Sequence, residues 1–157
     1  MKHLFSIVGF SLLMLGCSTR AGAEGLSTTF VNVELNSVVP GRPLRVQDSD
    51  GHGLRIKNLG SSPVRVAVEV LIPQRSQLWP GAGAIPDVQW IQAQPRVLEL
   101  GAHEEKEAEL VLHVPRKKAF RGKYYQAMIW SHGVPSTTQG MTISAGLLSK
   151  LRFRIKE

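Results

Sequence analysis

Residues 54–70 read LRIKNLGSSPVRVAVEV, and this stretch decides the fold class. In its latter half apolar side chains stand at every second position: Val64, Val66, Val68 and Val70. Such alternation places the four valines on one face of an extended strand. The Gly-Ser-Ser-Pro run at 60–63 is typical of a turn. The stretch therefore predicts two consecutive β-strands joined by a tight connection.

The same alternation continues on both sides of this stretch, and no window of ten residues after Thr28 keeps a helical period. Only 147–151 is a candidate for local helix. Turn signals separate the alternating runs. We expect strands at about 28–35, 43–47, 53–59, 64–72, 88–99 (broken at Pro95), 105–114, 123–131 and 141–155. Seven or eight short strands at this spacing predict an all-β protein, a single immunoglobulin-like β-sandwich of mostly antiparallel strands over 28–157.

Three segments in this order resemble known envelope modules: LRIKNLGSSPVRVAVEV, PRVLELGAHEEKEAELVLHVP and FRGKYYQAMIW. Together they resemble the immunoglobulin-like and fibronectin-III-like modules of bacterial cell-envelope proteins. The resemblance covers about 53–130 and implies a fold without an activity. Asn58, Pro63 and the strand 95–100 also resemble the first domain of periplasmic pilus chaperones, whose second domain has no counterpart in this length of chain.

The first residues have the pattern of an export signal. Lys2 and His3 precede the uncharged apolar run LFSIVGFSLLML at 4–15, which is too short to span a membrane. The run ends in Leu-Met-Leu-Gly-Cys, which resembles the lipobox of bacterial lipoproteins. The resemblance implies a signal peptide at 1–16 and a Cys17 that carries acyl chains such as palmitate. Ser18 at the next position implies the outer membrane, facing the periplasm.

A competing cleavage site leaves it open whether the protein carries a lipid anchor. Residues 21–23 read Ala-Gly-Ala, the small-residue pattern of ordinary signal peptidase, and cleavage there leaves Glu24 first and the protein soluble in the periplasm or secreted. With the lipobox, residues 17–27 are instead a lipidated cysteine followed by a flexible polar tether.

Composition and charge say more about the binding partners that this protein could have than about any reaction that it could catalyse. The chain has 157 residues, 43% hydrophobic and 20% charged, which suits one globular domain. Cys17 is the single cysteine, so no intrachain disulfide forms. The formal net charge of +7 favours anionic surfaces. Nucleic acid is not expected for an exported chain.

No catalytic or metal-binding constellation is visible, so we expect no enzyme, cofactor or metal. The nucleophile elbow, the zinc-protease helix motif and the phosphate loop are all absent from the sequence. Asp48, Asp50 and His52 lie in a D-S-D-G-H run whose Asp-Gly chemistry suits a hairpin turn better than calcium. Glu105, Glu107 and Glu109 share a strand face and need cations, which Arg65 or the last strand could supply.

Three surfaces are candidates for partner binding. The first is the long loop 73–87 with Trp79, which could instead fold back to cap the sandwich; Trp90 and Trp130 are expected in the core. The second is a basic patch around Phe120, a side chain that could insert into a membrane. The third is the last strand, whose cations could guard an edge. The patch comprises Arg116, Lys117, Lys118, Phe120, Arg121 and Lys123.

The sequence thus favours a non-enzymatic envelope lipoprotein. Its immunoglobulin-like domain would be an interaction or structural module, held by its lipid anchor and bound to an envelope protein. One alternative is a chaperone-like assembly factor that pairs through an edge strand, which an unpaired, uncharged edge would favour. Another is a carbohydrate-binding module that uses Trp79.

Overall fold

A computed structural model describes residues 25–134 and 146–157. Two β-sheets face each other. The first sheet contains β1 (Leu26–Ser27), β3 (Leu44–Val46), β4 (Leu54–Asn58), β7 (Ile91–Gln94) and β9 (Glu105–Leu112). Its strand order is β1-β4-β9-β3, and β7 also pairs with β9. All pairings in this sheet are antiparallel.

The second sheet contains the two longest strands and carries the outer face that matters below. Its members are β2 (Asn32–Val38), β5 (Val64–Leu71), β6 (Gly83–Ala84), β8 (Val97–Leu100), β10 (Tyr124–Gly133) and β11 (Gly146–Ile155). The order is β2-β11-β10-β5-β8, with β6 against β10. The pairings β2–β11 and β6–β10 are parallel and the others antiparallel.

The core lies between the sheets and is filled by the inward half of each alternating strand. Val66, Ile56, Leu110 and Phe153 are fully buried there, and each comes from a different strand. Burial of this apolar surface is the main force that holds the two sheets together. The residues at intervening positions, such as Arg65 and Glu69, face solvent as the alternation requires.

The predicted fold class is confirmed: the described chain is an all-β sandwich. The predicted strands appear with shifted ends, and 147–151 is part of β11 and not a helix. Neither β1 nor β6 was predicted; β1 lies within the predicted tether 17–27. Pro95 separates β7 from β8, and these two strands belong to different sheets. Residues 1–24 and 135–145 lie outside the described residues, so the predicted signal peptide and the predicted lipidation of Cys17 are not tested by the structure.

Three details of the sequence interpretation were wrong. The last strand is not an edge, because β11 lies between β10 and β2. Trp130 is 37% exposed on the outer face of β10, whereas Trp90 is buried as expected. The glutamates of β9 are not neutralised by Arg65 or the last strand. Arg45 of β3 makes a two-pronged hydrogen bond to Glu109, Glu107 accepts from Gly53 N–H, and Glu105 lies opposite Lys57 of β4.

Candidate functional site: an open strand edge

The strand β2 ends the second sheet and leaves one side of its backbone without a strand partner in the described part of the chain. On its inner side, Val31 C=O accepts from Lys150 N–H at 2.8 Å, and this bond sets the direction of the strand up to Leu35; beyond the register shift at Ser37, Val38 C=O accepts from Lys156 N–H at 2.9 Å. Alternate residues of a strand direct their backbone groups to opposite sides. Asn32 and Glu34 therefore direct their N–H and C=O groups away from β11, towards an open edge.

The β2 edge carries no free charge. Its single charged side chain, Glu34, accepts a hydrogen bond from the Tyr124 hydroxyl at 3.0 Å and lies 3.4 Å from Arg152. Charged side chains are a common means of blocking edge-to-edge pairing. In β2 the one carboxylate is held against its own sheet and does not block the edge. Only the left-handed backbone at Ser37, with φ of 61°, interrupts the strand near its end.

The opposite edge of the same sheet, at β8, is protected. Lys106 reaches from β9 and donates to the Glu99 carbonyl at 2.6 Å, so a backbone acceptor of β8 is already occupied. The Glu99 carboxylate lies 3.6 Å from Arg65. Of the two edges of this sheet, β2 is therefore the one whose outward backbone groups have no partner among the described residues.

The long loop that carries Trp79 folds back over the outer face of the second sheet. Gln126, on β10, is fully buried beneath it. The side-chain oxygen of Gln126 accepts from Trp79 N–H at 2.8 Å, and its amide group donates to Gln77 C=O at 2.8 Å. A buried amide requires such partners. Gln126 thus fixes the path of the loop, a role that its place in an alternating run did not reveal.

Trp79 itself is 53% exposed and joins the loop to the β2 edge through Arg152. The Arg152 guanidinium carbon lies 4.3 Å from the centre of the Trp79 ring, and the same guanidinium faces Glu34. Burial, followed by its hydrogen bond to Glu34, raises the pKa of Tyr124 above its usual range. The result is a polar row across β2, β11 and β10 beside the partly exposed Trp79.

The residues of the predicted basic patch lie at one end of the sandwich, beyond β9 and before β10. The cations Arg116, Lys117, Lys118, Arg121 and Lys123 are all exposed. Phe120 is half-buried, with its ring centre 4.8 Å from that of Trp90 in an edge-on contact and 6.5 Å from that of Tyr125. The Phe120 ring is thus packed at the margin of the core. Burial also raises the pKa of the neighbouring Tyr125 phenol.

A second exposed cluster lies at the far end of β10. The Trp130 and His132 rings are stacked with their centres 4.0 Å apart, and His132 Nε2 lies 3.0 Å from a Glu69 carboxylate oxygen. Leu148 is the cross-strand partner of Trp130 and is 47% exposed. The exposure of this apolar pair was not predicted from the sequence. Apolar residues occur on both faces of β10, and this pattern predicted that both faces are buried.

The D-S-D-G-H run forms a tight turn, with Gly51 N–H bonded to Asp48 C=O at 3.1 Å, but not the hairpin that the sequence suggested, because β3 and β4 both pair with β9 and not with each other. One Asp48 carboxylate oxygen accepts from the backbone N–H groups of Asp50 and His52, each at 3.0 Å. Both hydrogen bonds lower the pKa of Asp48, and the one from His52 has the larger effect. Gly51 takes the left-handed backbone that the turn needs, with φ of 80°. Among the described residues, no three His, Cys, Asp or Glu side chains are grouped to hold a metal, and no helix is long and apolar enough to cross a membrane.

Solved structures share this architecture. A PapD-like domain of human CEP192 matches with a TM-score of 0.61 and 14% identity over 97% of this chain and 99% of its own. The fold is that of PapD-like immunoglobulin domains. The Escherichia coli chaperone DraB matches with a TM-score of 0.54 and 17% identity over 84% of this chain and 56% of its own.

The Salmonella enterica complex of the SafA pilin with the SafB chaperone also matches, with a TM-score of 0.54 and 14% identity. This match covers 84% of the present chain and 55% of the chaperone chain. The present chain therefore spans little more than half the length of these chaperone structures. No protein-family profile and no curated protein matches the sequence. The faint sequence resemblance to the first domain of pilus chaperones is therefore supported at the level of the fold.

Proposed function

We propose that this protein is a non-enzymatic, exported and membrane-tethered interaction module that binds an extended segment of an envelope protein by strand addition at the β2 edge. The observation that carries the proposal is the open side of β2, where the backbone groups of Asn32 and Glu34 have no strand partner among the described residues and the one charge, Glu34, is paired with Arg152. In strand addition, main-chain hydrogen bonds supply affinity and pockets for alternate side chains supply specificity. An open, uncharged edge is the feature expected of a chaperone-like assembly factor.

Two further observations support this choice of edge. The competing β8 edge has a carbonyl already occupied by Lys106. In addition, Trp79 and Arg152 flank the outer face beside β2, where side chains of an added strand would lie. The SafB chaperone, a solved structure that shares this fold, is in complex with the SafA pilin, which supports a protein partner for the present domain.

The tether is the second element of the proposal. A lipid on Cys17 would hold the sandwich at the periplasmic face of the outer membrane, within reach of segments that emerge during assembly. Two or three acyl chains bind a bilayer far more firmly than one. Cleavage after Ala23 would leave the same strand-binding module free in the periplasm.

The test removes one outward donor of β2 and leaves its pairing with β11 intact. Asn32→Pro deletes the Asn32 N–H, which points to the open edge at the first residue of the strand, a position that tolerates proline. Asn32→Ala is the matched control, because it changes the same side chain and keeps the N–H. A photo-reactive residue at position 36 in a bacterial host would record the bound segment. We expect cross-linking with Asn32→Ala and a loss of at least about tenfold with Asn32→Pro. Equal cross-linking in both variants would contradict strand addition here.

A second candidate, carbohydrate binding, is favoured by the exposure of Trp79 beside Arg152 on a shallow polar surface. Sugar rings stack on exposed aromatic side chains, and Trp79 is 53% exposed with one cation, Arg152, near its ring. Titration with chito- and malto-oligosaccharides, followed by tryptophan fluorescence, tests it. Trp79→Ala would abolish a sugar response that Trp130→Ala, a change at another exposed tryptophan, leaves intact. An absent response in the unmodified protein would remove this candidate for those sugars.

A further inference from the structure

Four chain segments meet at the end of the sandwich that lies beyond β9. Backbone hydrogen bonds join them: Gly41 N–H to Val114 C=O at 2.7 Å, Ile155 N–H to Lys123 C=O at 2.9 Å, and Lys156 N–H to Val38 C=O at 2.9 Å. The segments 38–42, 114–118, 121–123 and 154–157 therefore form one continuous surface.

This surface is a cationic cap. It carries eight Lys and Arg side chains against one carboxylate, that of Glu157. All eight are exposed, and none makes an ion pair in the described part of the chain. The members of the cap are Arg42, Arg116, Lys117, Lys118, Arg121, Lys123, Arg154 and Lys156. The sequence patch supplied five of them, and the fold adds Arg42, Arg154 and Lys156.

Several of these side chains are held in place without a carboxylate. The Arg116 side chain lies over the Gly41 turn, where a Cβ would overlap it. The Arg154 guanidinium carbon is 4.7 Å from the centre of the Tyr124 ring, and Lys117 Nζ is 5.9 Å from that of Phe120. Ring contacts orient cations and leave their charge available to a partner.

The cationic cap is remote from the start of the described chain. Gly25 contacts Leu59 at the other end, next to β1, which pairs with the end of β4. The ten-residue strand β10 runs from the cap to that other end, a length of roughly 33 Å. The acid-rich start of β9, with Glu104, Glu105 and Glu107, is also at that other end.

We propose that the cationic cap binds a phosphate-bearing polymer. Arginine forks and lysine ammonium groups are the side chains that recognise phosphate, and the cap has four of each. Phe120 is packed against Trp90, so the cap has no apolar wedge of its own to insert into a bilayer. We choose a polymer as the partner, and not the membrane surface that holds the lipid anchor, because the proposed Cys17 tether joins the domain at the end opposite the cap. This choice rests on the proposed function. The cap itself does not depend on β2 binding.

The experiment measures binding of inorganic polyphosphate to the full chain by fluorescence anisotropy over a series of salt concentrations. The cap variant replaces Lys117, Lys118, Arg121 and Lys123 by Ser. The control variant replaces four exposed cations elsewhere, Lys57, Arg65, Arg96 and Lys106, also by Ser. Each lowers the formal charge from +7 by four, so net charge is matched. We expect at least about tenfold weaker binding by the cap variant, with a shallower salt dependence, and at most about a threefold change in the control.

Three outcomes would overturn the proposal. The first is no polyphosphate binding by the unmodified protein. The second is equal weakening in both variants, which would show an effect of net charge alone. The third is a cap variant that loses only binding to vesicles of phosphatidylglycerol and phosphatidylcholine, which would make the cap a lipid-binding surface. Asn32→Pro is expected to bind polyphosphate normally, so failure of strand addition at β2 and failure of the cap are separable.

Discussion

The guanidinium group of Arg152 contacts both Trp79 and Glu34: its central carbon lies 4.3 Å from the centre of the Trp79 ring, and its Nη2 lies 3.4 Å from a Glu34 carboxylate oxygen. This one side chain joins the long loop to the edge strand β2. The side chain of Arg152 is only 11% exposed, so the ion pair is better shielded from water than an ordinary surface pair. The loop and the β2 edge therefore form one continuous outer surface.

Gln126 is expected to hold the loop in this position. Gln126→Leu keeps the approximate size but removes both hydrogen bonds to the loop, leaving Trp79 N–H and Gln77 C=O without them. We expect a loss of about 2 kcal/mol in the free energy of unfolding, measured with urea. Gln92→Leu, at an exposed position of β7, is the control and should change it by less than about 0.5 kcal/mol. A loss at Gln126 no larger than that of the control would mean that the loop does not depend on these bonds.

Phe120 is expected to contribute to stability through its packing. Phe120→Ala removes the edge-on contacts with Trp90 and Tyr125, and because the ring is only half-buried we expect a loss of about 2 kcal/mol, below that of a fully buried phenylalanine. Lys118→Ala in the same turn is the control. An unfolding free energy unchanged in Phe120→Ala would show instead that the ring is available to a partner.

Acid is expected to weaken the fold through two turn carboxylates. The pKa of Glu104 lies below its usual 4.5, mainly because Gly101 N–H donates a hydrogen bond to its carboxylate at 2.6 Å and, to a lesser extent, because Lys106 is adjacent. The pKa of Asp48 also lies below its usual value of 3.8. Since each pKa is lower in the folded state, the stabilisation is present above the usual value and is lost as pH falls through the folded one. The unfolding free energy should fall below about pH 4.5.

The double variant Asp48→Asn, Glu104→Gln provides the check on this pH dependence. It should lose less stability than the unmodified chain between about pH 4.5 and pH 2. Glu105→Gln is the control, because the Glu105 side chain makes no hydrogen bond in the described part of the chain. Acid profiles that are identical in the double variant and the unmodified protein would contradict this assignment.

The lipid anchor is tested by intact mass and membrane fractionation in a bacterial host. We expect the unmodified chain to begin at Cys17, to carry a diacylglyceryl mass and to fractionate with membranes. Cys17→Ala should be released or left unprocessed. A soluble, unmodified chain that begins at Glu24 would remove the tether from the proposal and leave the sandwich as a free periplasmic or secreted module.

Alternation and turn residues were sufficient to predict the sandwich, because each strand's inward half fills the core and its outward half faces water. Val64 to Val70 and 105–112 follow this rule closely. Trp130 was expected in the core but lies on the outward half of β10 and is exposed, because the loop that Gln126 anchors covers the outer face of β10 only in part. Local pattern cannot report how far a distant loop extends.

The β2 edge could not be predicted from the sequence for a related reason. Its parallel pairing with β11 joins residues more than one hundred positions apart, such as Asn32 with Lys150, and parallel pairing has no turn signature. The last strand therefore looked like the edge. Likewise, the sequence placed five cations of the cap in one run, whereas Arg42 and Arg154 join them only through the meeting of chain segments.

Amide hydrogen exchange at Asn32 and Glu34 tests strand addition most directly. The segment cross-linked at position 36 would be synthesised as a peptide, and exchange would be followed by NMR in the free and peptide-bound protein. The proposal predicts fast exchange of both outward amides in the free protein and at least about tenfold slower exchange in the complex, with little change at Val33 and Leu35, whose amides face β11. Bound peptide that leaves the Asn32 and Glu34 amides unprotected would contradict it.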